Sequence, residues 1–177
     1  MHEKIKQSFY DGSFLKHVLN VLEKAGGGAE YITTIDLWGL EPTTSLKDFS
    51  TLVPSLFKIF PNFNNILFST NGMQGVDILY DFILSLESNL KQNQKLRLTK
   101  KPFVFDLQFS LDGNEEITKI NRGADANRIT ENIKSLLIKL NNTNLEYLNI
   151  HLYVHNVCTL NLIHNYLNTY EKIKMHF

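Results

Sequence analysis

Two hydrophobic periods alternate along this chain, and that alternation limits the folds open to it. Segments with apolar residues at helical spacing separate four short segments rich in β-branched and aromatic residues. From Ser13 to Lys24, Phe14, Leu15, Val18, Leu19 and Leu22 recur with the helical period, and Gly26-Gly27-Gly28 ends the run. Tyr31 to Trp38 reads as a strand, and Ser45 to Phe60 as a helix kinked or broken at Pro54. Ile66–Thr70 is a strand closed by Asn71-Gly72, and Val76–Leu90 a helix. Phe103–Leu111 is a strand closed by Asp112-Gly113, Ala126–Leu140 a helix, Tyr147–Val154 a strand and Leu160–Lys172 a last helix. The expected order is α-β-α-β-α-β-α-β-α. Strands joined through helices imply right-handed crossovers and a parallel sheet. With no repeat, low-complexity tract or linker, residues 1–177 read as one domain.

The strands carry a second message. Strands of a parallel sheet buried on both faces are continuously apolar, whereas these alternate. Asp36 and Trp38 share one face of the first strand, Ser69 and Asn71 one face of the second. Asp106, Gln108 and Ser110 oppose Phe105, Leu107 and Phe109 in the third; His151, Tyr153 and His155 oppose Ile150, Leu152 and Val154 in the fourth. The apolar faces are expected against the helices and the polar faces around a common interior able to hold a ligand. The expected fold is thus a partial TIM-like (β/α) barrel. Its alternative is an open sheet with one wet face.

Composition excludes some functions. Eighteen basic and eighteen acidic residues give a net charge of zero, so nothing points to nucleic acid or an anionic membrane as a partner. The densest basic stretch, Lys91 to Lys101, reads as a solvated loop. No apolar run reaches the roughly 20 residues that cross a bilayer, and Met1-His2-Glu3-Lys4 opens no signal peptide. The single cysteine, Cys158, forms no internal disulfide and reads as a small buried hydrophobe. A cytoplasmic location is the expectation.

In an α/β barrel the chemistry follows the strands' C-terminal ends. There the sequence places Leu37-Trp38-Gly39-Leu40-Glu41-Pro42, then Ser69-Thr70-Asn71-Gly72, then Ser110-Leu111-Asp112-Gly113 with Asn121-Arg122-Gly123 beyond. Asn-Gly and Asp-Gly are generic turn formers; the set and its order carry the information. Together they resemble the radical S-adenosylmethionine superfamily, whose successive strands end in Gly-Gly-Glu-Pro, Thr-Asn-Gly and Ser-Leu-Asp-Gly, with Arg-Gly soon after. The resemblance covers about residues 14–156. It implies S-adenosylmethionine as a small-molecule cofactor, with Gly39, Leu40, Glu41 and Pro42 at the amino group of its methionine moiety. An ammonium needs acceptors, which carbonyls and a carboxylate supply. It further implies Ser110 at the ribose or carboxylate, Arg122 paired with the carboxylate, and Thr70 and Asn71 shaping the site. Leu40 stands where the family has its second glycine, and would be strained there if the backbone needs positive φ.

The resemblance also implies a [4Fe-4S] cluster held by three thiolates in a C-x3-C-x2-C loop after the first barrel strand. In the family this cluster drives formation of a 5′-deoxyadenosyl radical that abstracts hydrogen from substrate. This sequence has no such loop, and Cys158 falls after the fourth visible strand. No metal ligands are assigned. His151 and His155, four residues apart in a strand, lie about 13 Å from each other by the strand rise, too far to share one ion. Asp36, Trp38, Asp106, Gln108, His151, Tyr153 and His155 are expected as lumen residues facing substrate. Leu-Asp-Gly with Asn-Arg-Gly is similar to the branch that modifies peptides and proteins, so a peptide or protein substrate is implied. Two expectations stay open: an incomplete radical enzyme core, with its cluster-bearing segment upstream, or a degenerate, non-catalytic binding or partner-docking module.

Overall fold

The computed structural model describes residues 7–39, 41–96, 101–112 and 114–155. Its one sheet has four parallel strands in sequential order: β1 (Thr34–Leu37), β2 (Asn65–Thr70), β3 (Phe103–Ser110) and β4 (Leu148–His155). The helices are α1 (Ser13–Lys24), α2 (Leu46–Ser50), α3 (Val53–Ile59), α4 (Val76–Gln92), α5 (Glu115–Arg122) and α6 (Ala126–Asn141). The expected α/β class and parallel sheet are therefore observed. The last expected helix, Leu160–Lys172, lies outside the described residues, as does Cys158.

Alternation in the strands decides which face is covered. In β3, Phe103, Phe105, Leu107 and Phe109 are buried while Val104, Asp106, Gln108 and Ser110 are less so. Ile66, Phe68 and Thr70 continue the buried face in β2. The helices complete it with Leu46, Phe49, Val53, Leu56, Phe57, Phe82, Leu86, Ile129 and Ile133. Aromatic rings tie the layers together. Phe57, Phe63 and Phe103 form a triangle with centroids 5.1 to 5.6 Å apart, and Phe105 lies 5.6 Å from Phe82 and 5.9 Å from Phe68. Such tilted and edge-on pairs each contribute about 0.5–1.5 kcal/mol beyond the burial of their area.

Several boundaries differ from the sequence reading. The first strand is four residues long rather than spanning Tyr31–Trp38: Ala29–Tyr31 is a 3-10 turn, and Tyr31 and Trp38 are 73% and 81% exposed. A strand extends only as far as its partner. The ladder starts at Thr34 opposite Asn65, because the chain before Asn65 turns, with the Phe63 N–H donating to the Phe60 carbonyl. The expected helix Ser45–Phe60 is two helices, and Pro54 sits in the first turn of α3, where its missing N–H costs nothing. The loop expected from Lys91 to Lys101 is helical to Gln92 and forms a 3-10 turn at Gln94–Leu96. Helix α5 was not expected; Asn114 caps its start and Gly123, at φ 62°, its end.

The polar face is uncovered by the described residues. Asp36, Trp38, His151 and Tyr153 are exposed there, so among the described residues this face opens to solvent and encloses no lumen. Four strands do not close a sheet upon itself.

The Phe57–Phe63–Phe103 triangle should dominate stability at its end of the sheet. Phe103→Ala should lower the unfolding free energy by about 3–5 kcal/mol in urea titration. Ile120→Ala, on a side chain that is 74% exposed, should change it by less than about 0.5 kcal/mol.

Candidate functional site

Parallel strands in sequential order bring the loops after β1, β2 and β3 to one rim of the sheet. The Glu41 carboxylate joins the first two. Its Oε1 accepts from the Thr43 hydroxyl, from the Thr43 N–H at 3.3 Å and from the Thr70 hydroxyl at 2.8 Å; its Oε2 accepts from the Asn71 N–H at 2.8 Å. Glu41 thereby caps the 3-10 turn Pro42–Ser45 and holds it to the end of β2. Thr70, 2% exposed, passes the network on by accepting from the Gly72 N–H at 3.0 Å. Asn71 makes an Asx turn, its Oδ1 accepting from the Met73 N–H at 2.9 Å.

The Asn-Gly turn is fixed more firmly than its residue types suggest. Gly72 has φ 70°, and a Cβ there would stand 2.9 Å from both Ile129 Cγ2 and Phe109 Cδ1. Both neighbours are core residues, exposed by 0% and 1%, with no room to retreat. From α6, Asn132 Nδ2 donates to the carbonyls of Gly72 at 2.7 Å and Gln74 at 3.1 Å. The sequence reading missed Asn132, because a polar residue on an amphipathic helix reads as solvated.

The third loop is held by an ion pair. Arg122 reaches back along α5 to Asp112, with Nη2 3.0 Å from Oδ1 and Nε 2.8 Å from Oδ2. Asp112 is 2% exposed. Arg122, expected at a cofactor carboxylate, here grips a carboxylate of its own chain. Ser110 ends β3 on the open face, in register with His155. Leu40, Gly113 and the side chain of His155 lie outside the described residues.

A hollow of about 630 Å³ opens at the rim beside β1, within the range of small-molecule sites. Of the residues expected at the cofactor, Gly39, Glu41 and Pro42 line it, together with Asp36 and Trp38. Asn71, Ser110 and Arg122 do not. Asn71 and Ser110 lie at the ends of the next two strands and Arg122 at the end of α5, so the expected set divides between this hollow and the neighbouring rim.

On the open face a polar chain crosses β2, β3 and β4. Asp36, Leu67, Asp106 and His151 stand in one row across the sheet. Asp106 Oδ1 lies 3.0 Å from His151 Nδ1, and Asp106 Oδ2 accepts from Asn65 Nδ2 at 3.0 Å. In the next row toward the rim, the Ser69 hydroxyl donates to Gln108 Oε1 at 3.3 Å, and Gln108 pairs in register with Tyr153. The expected face-sharing of Asp106, Gln108, His151 and Tyr153 is thus realised, and Asn65 joins it.

Among the described residues, no group of three or more His, Cys, Asp or Glu side chains is arranged to hold a metal ion. No described helix is long and apolar enough to cross a membrane. No family model, curated protein or solved structure matches the chain.

Two substitutions test the rim. Glu41→Ala leaves the Thr70 hydroxyl and Asn71 N–H without their acceptor and should cost about 1–3 kcal/mol in chemical denaturation. Arg122→Leu, which leaves buried Asp112 without its fork, should cost about 3 kcal/mol, and Arg122→Lys should recover only part of that, because a point charge lacks the two-point geometry.

Proposed function

We propose that the chain is core sheet of a radical S-adenosylmethionine type of enzyme, a partial (β/α) barrel whose rim receives the methionine end of the cofactor. The observation that supports this reading best is the joining of the first two motif loops through Glu41, with the third beside them on the next strand. With its carboxylate occupied by Thr43, Thr70 and Asn71, Glu41 contributes by setting the loop. The acceptors for an ammonium are then backbone carbonyls around Gly39 rather than the carboxylate itself. Ser110, on the open face at the end of β3, offers a hydroxyl to the ribose or carboxylate.

A [4Fe-4S] cluster does not fit the residues of this sequence. Three thiolates are needed, and the sequence has the single cysteine Cys158. Radical chemistry at this rim requires thiolates from another segment or chain. A peptide or protein substrate would lie along the open face, against Asp106, Gln108, His151 and Tyr153.

One observation favours a second reading, a non-catalytic binding module. The charged groups assigned to the cofactor, Glu41 and Arg122, are both engaged within the chain, and a rim held so completely is stable without a ligand.

Titration with S-adenosylmethionine, followed by amide NMR, separates the two. The first reading expects weak binding that shifts the Gly39, Asn71 and Ser110 amides, and loss of those shifts in Ser110→Tyr. It also expects no 5′-deoxyadenosine from this chain with dithionite above a protein-free control. An unperturbed rim at millimolar cofactor would remove S-adenosylmethionine from the account and leave the binding module.

A further inference from the structure

The Asp106–His151 pair differs from the ion pairs elsewhere on the surface in what it leaves available. An ionised carboxylate only accepts hydrogen bonds, so the 3.0 Å contact with Asp106 Oδ1 requires the proton of neutral His151 to sit on Nδ1. That assignment puts the lone pair on Nε2. No described residue partners Nε2, and the side chain is 50% exposed on the uncovered face. Asp106 itself is held: its side chain is only 16% exposed, and its second oxygen accepts from Asn65 Nδ2 at 3.0 Å. Both residues project from adjacent strands in register, Asp106 opposite His151, so backbone pairing fixes their separation. The Tyr153 hydroxyl lies 3.5 Å from Nδ1, at the limit of a hydrogen bond, and does not compete with Asp106. Beside the ring is a hollow of about 330 Å³ lined by Asn64, Asn65, Lys101, Pro102, Val104 and Asn149 as well as His151. The amides and the imidazole in this mixed lining can hydrogen-bond a small polar ligand or side chain.

We propose that His151 is a proton acceptor on the open face, with Asp106 as its positioning residue, acting on a polar ligand that carries a dissociable O–H or N–H. The ligand's X–H bond breaks, its electron pair stays on X, and the proton forms the Nε2–H bond of an imidazolium. Asp106 stays ionised and stabilises that imidazolium through Nδ1–H. The proposal rests on reading the open face as the ligand side. It needs neither S-adenosylmethionine nor a cluster, so its test is independent of the cofactor titration.

Two measurements on the full chain test it. Long-range ¹H–¹⁵N correlation of histidine-labelled protein at neutral pH should show His151 as the Nδ1–H tautomer, and Asp106→Asn should move it toward Nε2–H. Carbethoxylation by diethyl pyrocarbonate, mapped by mass spectrometry, should modify His151 at least as fast as exposed His17, because Nε2 is presented to solvent. In Asp106→Asn, provided circular dichroism shows the fold retained, the His151 rate should fall several-fold while that of His17 holds. Tyr153→Phe should leave the tautomer unchanged. A wild-type Nε2–H tautomer, or a His151 left unmodified after His17 has reacted, overturns the proposal without recourse to any variant. An Asp106→Asn protein that is folded and reacts at the wild-type rate removes Asp106 from it.

Discussion

Everything in this structure depends on one face of β2 and β3 being apolar at every second residue. Ile66, Phe68, Phe103, Phe105, Leu107 and Phe109 are all buried within 1% of completely. A slip of one residue in either strand would turn that row to water and bring Leu67, Asp106 and Gln108 against the helices. The register of the polar face is therefore set by the burial of the other. Asp106 meets His151, and Ser69 meets Gln108, because Phe105 must meet Ile150 and Phe68 must meet Leu107.

The rim uses a different device. Its loops are too short and polar to be held by burial, so hydrogen bonds and close backbone approach hold them instead. Glu41 ties the first loop to the second, Asn132 and the space kept by Gly72 tie the second to α6, and Asp112 ties the third to α5. The Glu41 and Asn132 ties join segments distant in sequence, the Asp112 tie a loop and its own following helix, and each uses a polar group that would be costly to bury alone. A surface made in this way keeps its shape in the absence of a ligand, which is what either an enzyme rim or a recognition surface requires.

Much of the fold was legible because period is a local property. The alternation in Phe103–Ser110 and the helical spacing in Val76–Gln92 need no knowledge of neighbours, and both elements stand where the sequence put them. Tyr31–Trp38 was overextended because β propensity does not know how long the partner strand is. Helix α5 was missed because Glu115–Arg122 has few apolar residues and is defined by its caps, Asn114 and Gly123. At the rim, the sequence marked Glu41, Asn71, Ser110 and Arg122; the first three stand at or just beyond strand ends, and Arg122 ends α5 and reaches back to the loop after β3. It was silent on their partners. That Glu41 meets Thr70 and Arg122 meets Asp112 is a matter of tertiary distance. A charged residue awaiting a ligand and one already paired look alike in a sequence.

The strand order has a kinetic side. Each strand pairs with its neighbours in sequence, but every parallel ladder first has to close a helical crossover, and non-local parallel pairings of this kind form slowly. Among the described residues, the two central strands have a ladder on each side, whereas β1 has one ladder four residues long. Strands joined so lightly open by themselves, below the threshold for global unfolding. Yet β1 feeds the loop that Glu41 anchors, so the least secure strand carries the first part of the rim. Whatever occupies that rim also steadies the strand that feeds it, and occupancy would be read out as protection of β1 from amide exchange.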